Sequence, residues 1–201
     1  MNMFEMFSRS LRLHTDKPAV ISGTGAARRE VSYRELDRQI DTVCAQLAAA
    51  GLDAGDRVLL AVPPSIETYV VMLAMMKSGI VTMVIDPAHG ARQVSEILRE
   101  WPPDAIIASR SVLLLGLLVP ELRRISIRFS ATGRFAGATQ LSFGIASLTR
   151  RDTRPRSPAD SALLTFTSGS TGMPKPVVRL SLIHISEPTR PVGISRMPSS
   201  A

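Results

Sequence analysis

Short runs of apolar residues along the chain alternate with stretches in which apolar residues recur every three or four positions. The short runs predict strands and the second pattern predicts helices. Strands are predicted at residues 18–22, 31–33, 58–62, 81–85 and 105–108, and a further apolar run, ISIRF, stands at residues 125–129. Helices are predicted at residues 1–13, 33–50, 66–79 and 95–101, with a short apolar helix starting near residue 111. This alternation indicates an α/β fold with a mostly parallel sheet flanked by helices.

Two of the predicted helices carry start and stop residues. Ser32 is a predicted N-cap with Glu35 three residues on, which is the spacing of a capping box, and Gly51 follows this helix at the C′ position. Ser65 is predicted to cap the next helix, which ends at Gly79. Helical spacing predicts that one face of the first helix is buried, and that face carries Leu36, Ile40, Val43 and Leu47.

Near the end of the chain, two apolar runs enclose a small polar loop. Residues 163–166 and 177–178 predict strands, and between them stand Thr167, Ser168, Gly169, Ser170, Thr171, Gly172 and Lys175. Two glycines allow close backbone approach, successive N–H groups can form a donor nest, and the hydroxyls and the ammonium group add donors. The spacing differs from a Walker A loop, because Lys175 comes three residues after Gly172. The loop therefore predicts an anion site, with a plain Gly/Ser-rich hairpin turn as the alternative.

The segment TSGSTGMPK at residues 167–175 resembles the phosphate-binding signature of the adenylate-forming superfamily. That superfamily includes acyl- and aryl-CoA synthetases, adenylation domains of peptide synthetases, and luciferases. VSYREL at residues 31–36 and MKSGIVTMVIDP at residues 76–87 resemble its first two core motifs, in the same order. The resemblance covers about residues 5–179. Pro176 departs from it, since the family usually has glycine there, and this leaves the geometry of the loop exit open.

The resemblance implies an enzyme that joins a carboxylic acid to AMP, using ATP and Mg²⁺, and then passes the acyl group to CoA. It implies that the β- and γ-phosphates of ATP are held by Thr167, Ser168, Gly169, Ser170, Thr171, Gly172 and Lys175. The family's ribose-binding aspartate, most of its acyl pocket and its catalytic lysine have no counterpart in the 201 residues, so we expect no catalytic residue here and an inactive chain. The alternatives are a β-lactone synthetase-like enzyme of olefin biosynthesis and a non-enzymatic, truncated pseudoenzyme.

The character of the sequence changes after Arg179. LSLIHISEPTR at residues 180–190 resembles one reading frame of a transposase-derived adapter used in DNA sequencing libraries. We therefore expect residues 1–179 to be a partial adenylation domain and residues 180–201 to be a non-native tail, with a divergent natural C-terminus as the alternative. His184 lies in that tail and is not assigned to the histidine that follows the family's phosphate loop.

Composition changes this picture little. The formal net charge is +7, and eight arginines against two acidic residues in residues 119–158 account for +6 of it. That segment lacks interleaved aromatic residues, so we predict a solvated face and no nucleic-acid partner. The single cysteine, Cys44, excludes an internal disulfide and favours a reducing cytoplasm. No apolar run approaches the roughly 20 residues that a membrane-spanning helix needs, and no spacing typical of a metal site occurs.

Overall fold

The structure is a computed structural model, and it describes residues 3–86, 88–144, 161–167 and 175–180. The helices in chain order are α1 (Met3–Leu13), α2 (Tyr33–Ala49), α3 (Ile66–Ser78), α4 (Ala91–Glu100), α5 (Arg110–Gly116) and α6 (Pro120–Arg124). The strands in chain order are β1 (Pro18–Ser22), β2 (Arg29–Ser32), β3 (Arg57–Ala61), β4 (Val81–Val84), β5 (Ala105–Ser109), β6 (Ile127–Thr132), β7 (Thr139–Gln140), β8 (Ser161–Thr167) and β9 (Lys175–Leu180).

Seven of these strands form one sheet, in the order β7-β6-β5-β3-β4-β8-β9. All neighbours in it pair in parallel except β8 and β9, which are antiparallel. Strands β1 and β2 form a separate antiparallel pair. The predicted α/β fold with a mostly parallel sheet flanked by helices is therefore confirmed.

The central strands are buried on both faces, as their continuous apolar runs predict. Val58 and Leu60 of β3 enter the core that also contains buried residues of α2 and α3. Leu59 lies between them in sequence and enters the second core, together with Ile97 of α4. Helices therefore cover the sheet on both sides, and the side chains of one strand are divided between the two layers.

The predicted helix ends are confirmed in detail. Ser32 Oγ accepts a hydrogen bond from the backbone N–H of Glu35 at 3.2 Å, and Ser65 Oγ accepts one from Thr68 at 3.2 Å. Gly51 follows α2 with a φ of +87°, a conformation that favours glycine. The predicted inward face of α2 is buried at all four positions, namely Leu36, Ile40, Val43 and Leu47.

Several elements differ from the sequence predictions, and three of the differences have a clear cause. Helix α4 begins at Ala91 instead of Ser95, because Gly90 is its N-cap and Gln93 Oε1 accepts the Gly90 N–H at 3.3 Å. Its first turn contains no large apolar residue, so hydrophobic spacing does not reveal it. Helix α6 and strand β7 were not predicted, since five and two residues respectively are too short for a periodic signal.

One ion pair joins α2 to α3 and is largely withdrawn from water. The ammonium group of Lys77 donates to Asp41 Oδ1, and the two side chains are only 4% and 17% exposed. Exposed ion pairs contribute little to stability, but loss of one partner from a buried pair leaves the other charge without compensation. The packing of α3 on α2 therefore depends on this pair being complete.

Lys77→Ala is expected to lower the free energy of unfolding by about 3–5 kcal/mol, because Asp41 then remains buried and unpaired. Urea unfolding of the wild-type and variant chains measures the difference. The control is the double variant Lys77→Met with Asp41→Leu, which removes both charges and is expected to recover most of the loss. A single variant within about 0.5 kcal/mol of the wild type, the range of an ordinary surface substitution, would contradict this role.

Candidate functional site

The parallel strands of the large sheet all end on one side, which we call the carboxyl edge. There β8 lies beside β4 and ends at Thr167. Strand β9 begins at Lys175 and returns along β8, and Thr167 pairs with Lys175. The first and last of the predicted site residues therefore occupy one rung of the ladder. The chain leaves the sheet and re-enters it at the same point of the carboxyl edge.

Of the seven predicted site residues, the structure positions the backbone of Thr167 and Lys175. The other five lie outside the described residues, and they are Ser168, Gly169, Ser170, Thr171 and Gly172. The predicted order of strand, connection and strand is confirmed, and the structure adds that the two strands pair in antiparallel. The role of the seven residues in binding phosphate stays a prediction.

The base of the hairpin is held by the core beneath it. Leu164 and Phe166 of β8 are only 3% and 5% exposed, and both belong to the second hydrophobic core. Pro176 pairs with Phe166 in β9, which is the outermost strand. Proline has no backbone N–H to donate, and an edge strand tolerates this better than a central one. The departure at Pro176 from the family's usual glycine is thus compatible with the strand that follows the loop.

A turn at the end of β4 is the neighbour of this hairpin. The last paired residues of β4 and β8 are Val84 and Thr165. Asp86 comes two residues after Val84, and Thr167 comes two residues after Thr165. Asp86 Oδ1 accepts the N–H of Ala88 at 2.8 Å, and its carbonyl oxygen accepts the N–H of His89 at 3.0 Å. The His89 ring is half-buried, with Nδ1 3.1 Å from the Asp86 carbonyl oxygen. An aspartate whose side chain accepts the N–H of the second residue after it is a common turn signal in sequences. This hydrogen bond fixes the backbone of the turn beside Thr167.

Helix α3 begins at the carboxyl edge of β3 and carries Glu67 in its first turn. Arg29 of β2 donates Nη2–H to Glu67 Oε1 at 2.9 Å, and this contact connects the antiparallel pair of β1 and β2 to α3. Burial raises the pKa of the Glu67 carboxyl. Hydrogen bonds from its own backbone N–H, from Arg29 and from Ser65 act in the opposite direction and prevail, so this pKa lies below its usual value.

The described residues offer no ready-made metal site. Across them, no three His, Cys, Asp or Glu side chains are grouped so that they could hold a metal ion. Within the same residues, every helix is too short or too polar to cross a membrane.

Comparison with known proteins finds relatives of this chain in sequence and in fold. A family model described as AMP-binding enzyme matches residues 7–180. The olefin beta-lactone synthetase of Stenotrophomonas maltophilia (strain K279a) is 34% identical over 170 residues, which cover 78% of this chain and 29% of that protein. The chain thus spans less than a third of the length of this relative.

Two solved structures share the fold. The acetoacetyl-CoA synthetase from Streptomyces lividans superimposes with a TM-score of 0.79 at 22% identity, over 90% of this chain and 30% of that one. The N-terminal subdomain of Klebsiella oxytoca NpsA, in complex with 3-hydroxybenzoyl-AMSN, gives a TM-score of 0.66 at 25% identity, over 90% and 41% of the two chains. The sheet and its helices therefore have the architecture of an N-terminal subdomain in these proteins.

Glu67→Gln is expected to make the free energy of unfolding less dependent on pH in the acid range. Because the folded-state pKa of Glu67 is depressed, its carboxylate stabilises the fold above the unfolded-state pKa, and this stabilisation is lost as the pH falls through the folded value. The wild-type chain should therefore lose more free energy of unfolding than the variant as the pH falls below about 4.5. Near neutral pH the variant should be the less stable of the two.

Urea unfolding at a series of pH values measures the free energy of unfolding of the wild type and of Glu67→Gln in the acid range and near neutral pH. Glu100→Gln removes an exposed carboxylate at the end of α4 and serves as the matched control. Curves for Glu67→Gln and wild type that stay parallel through the acid range would refute the stabilising role of the Glu67 carboxylate.

Proposed function

The chain belongs to the AMP-binding enzyme family, and on that premise we propose that it forms part of an enzyme that activates a carboxylic acid with ATP. A carboxylate oxygen attacks the α-phosphorus, and the bond from that phosphorus to the oxygen bridging to the β-phosphate breaks. The products are an acyl-AMP and pyrophosphate. Both reactants are anions, so the main tasks of the protein are to neutralise charge and to position the reacting atoms.

The observation that carries this proposal is the hairpin whose two ends share a rung at the carboxyl edge. In open α/β sheets, ligands bind beyond the carboxyl ends of the strands. The connection that starts and ends there is rich in hydroxyl groups and glycines and ends on a lysine. We assign the β- and γ-phosphates of ATP to Thr167, Ser168, Gly169, Ser170, Thr171, Gly172 and Lys175.

Mg²⁺ would enter this site as the complex with ATP. The described residues contain no group of acidic side chains that could hold the ion alone. Phosphate oxygens and hydroxyl groups are hard oxygen ligands of the kind that Mg²⁺ prefers, and the ion commonly keeps several waters. The donor set at the hairpin therefore suits a metal that arrives with the nucleotide, and the ion would offset part of the phosphate charge.

For the second step we propose transfer of the acyl group to CoA. A second candidate is attack by a hydroxyl group of the same acid, which closes a lactone. The 34% identity to an olefin beta-lactone synthetase supports that candidate. The two acceptors differ in what they require of the acid, because only ring closure to a β-lactone needs a hydroxyl group on the β-carbon.

We further propose that the 201-residue chain by itself binds ATP and does not complete the adenylation. The resemblance to the family supports this, since the ribose-binding aspartate and the catalytic lysine have no counterpart in the sequence. Cys44 is buried and is the single cysteine of the sequence, so no internal disulfide can form; this suits a reducing compartment, and we propose a cytoplasmic location.

Lys175→Ala is expected to weaken ATP binding at least tenfold. A lysine about 4 Å from a phosphate gains about 4 kcal/mol at an effective dielectric constant of 20, and about 1.4 kcal/mol of this corresponds to tenfold in the dissociation constant. Isothermal titration of the chain with ATP in the presence of Mg²⁺ measures the change. Lys17→Ala, which removes an exposed lysine ahead of β1, is the matched control and should leave the affinity unchanged.

Equal dissociation constants for wild type and Lys175→Ala would reject the phosphate assignment. Isotope exchange between pyrophosphate and ATP, measured on the same chain with a panel of fatty acids, tests the adenylation step separately. We expect no exchange from the 201-residue chain. Exchange by this chain would show that adenylation does not need the family residues that the sequence lacks. It would not bear on the phosphate assignment of the loop, which the Lys175→Ala titration tests.

A further inference from the structure

Four exposed leucines follow one another at the end of α5 and in the turn behind it. Their exposed fractions are 50%, 66%, 47% and 82% for Leu114, Leu115, Leu117 and Leu118, respectively. We call these four residues the leucine ridge. Scattered apolar residues on a surface need no explanation, but a contiguous apolar group commonly marks a binding surface.

The packing of α5 explains why these leucines face outward. Leu113 is only 6% exposed and belongs to the second core. Gly116 is also buried, and a Cβ atom there would come within 3.3 Å of the Leu122 side chain of α6. The positions that α5 turns toward the protein are thus already filled and close-packed. The leucine ridge occupies the remaining positions, so collapse of the helix onto the core cannot bury it.

Arginines of α5 and α6 lie beside the leucine ridge. Arg110 stands one helical turn before Leu114, and its side chain is exposed. Arg123 lines the same surface depression as Leu117. Arg124, the next residue of α6, is also exposed. The exposed leucines and these arginines form an amphipathic surface.

Negative charge is nearly absent from this part of the chain. Residues 105–144 contain five arginines and a single acidic residue, Glu121, which gives a net charge of +4. Glu121 is only 9% exposed and is paired with Arg99 of α4 at 2.9 Å. The charge that residues 105–144 present to solvent is therefore positive, and a partner complementary to these residues is anionic.

We propose that the leucine ridge and its arginines bind peripherally to the surface of an anionic lipid bilayer. The leucines would enter the boundary between head groups and acyl chains, while the guanidinium groups pair with lipid phosphates. A second copy of the same surface is a poor occupant, because its arginines would repel these. This inference is independent of the ATP site, because it concerns α5 and α6 and not the hairpin.

Vesicle sedimentation tests the lipid surface directly. The complete chain is mixed with vesicles of phosphatidylcholine alone, or of phosphatidylcholine with phosphatidylglycerol, at low salt. The wild type should sediment with the anionic vesicles and remain in solution with the neutral ones. Leu115→Ser with Leu118→Ser should lower the partition coefficient at least tenfold. Arg123→Gln with Arg124→Gln should lower it about 25-fold, since each arginine near the surface contributes about fivefold.

Matched controls distinguish binding through this surface from non-specific adsorption to vesicles. Leu13→Ser removes a leucine that is 67% exposed at the end of α1, and Arg9→Gln removes an exposed arginine of the same helix. Both controls should bind like the wild type. If the wild type stays in solution with anionic vesicles, or if the ridge variants sediment as well as it does, the proposal is wrong. A wild-type dimer that the leucine variants dissociate would also overturn it, in favour of contact between copies.

Amide hydrogen exchange tests the same proposal on the wild-type chain alone, so its outcome does not depend on whether the variants fold. With anionic vesicles present, amides of residues 110–124 in the wild-type chain should exchange at least several-fold more slowly than without them, while those of α2 should be unchanged. Protection elsewhere with none in this segment would refute the assignment.

Discussion

The parallel pairing of β8 with β4 is the contact on which the position of the candidate site depends. It aligns Thr82 with Leu163 and Val84 with Thr165, which are far apart in sequence. Without it, β8 and β9 would be an isolated two-stranded hairpin, which is at best marginally stable in water. The energy for this long-range closure comes from burial, because Leu164 is only 3% exposed and lies in the same core as residues of α4 and β5. The hairpin is placed at the carboxyl edge by its apolar base and not by its polar residues.

Local features of this fold were predictable from the sequence, and the long-range ones were not. The caps at Ser32 and Ser65 depend on residues within one turn, so their chemistry is visible in a short window. The apolar runs of β3, β4, β5 and β8 are chemically alike, and nothing in them specifies which strand lies beside which. The sequence therefore predicted strands and a parallel sheet but not the neighbours of β8. The loop was predicted to bind an anion from its own residues, and its assignment to ATP phosphates came from a resemblance. Several of its residues lie outside the described part of the chain, so both stay predictions.

Charge in this protein is informative through its location, not through its sum. Lys77 and Asp41 cancel each other between two helices and contribute nothing to the net charge, yet each would be costly without the other. The arginines of residues 105–144 dominate the net charge, and the exposed ones are free to meet an external partner. The sequence alone predicted a solvated basic face for the later part of the chain. The structure adds the exposed leucines beside the described arginines, and this changes the surface from polar to amphipathic.

The direction of the chain keeps that amphipathic surface away from the hairpin. Strand β5 ends at the carboxyl edge, and α5 starts there and runs back along the face of the sheet toward the start of β6. The exposed leucines come at the far end of α5, so they lie nearer the amino ends of the strands than the carboxyl edge. On the sheet, β5 is also separated from β8 by β3 and β4. A flat anionic surface against α5 would therefore leave the carboxyl edge open to a nucleotide, and binding at one place need not compete with binding at the other.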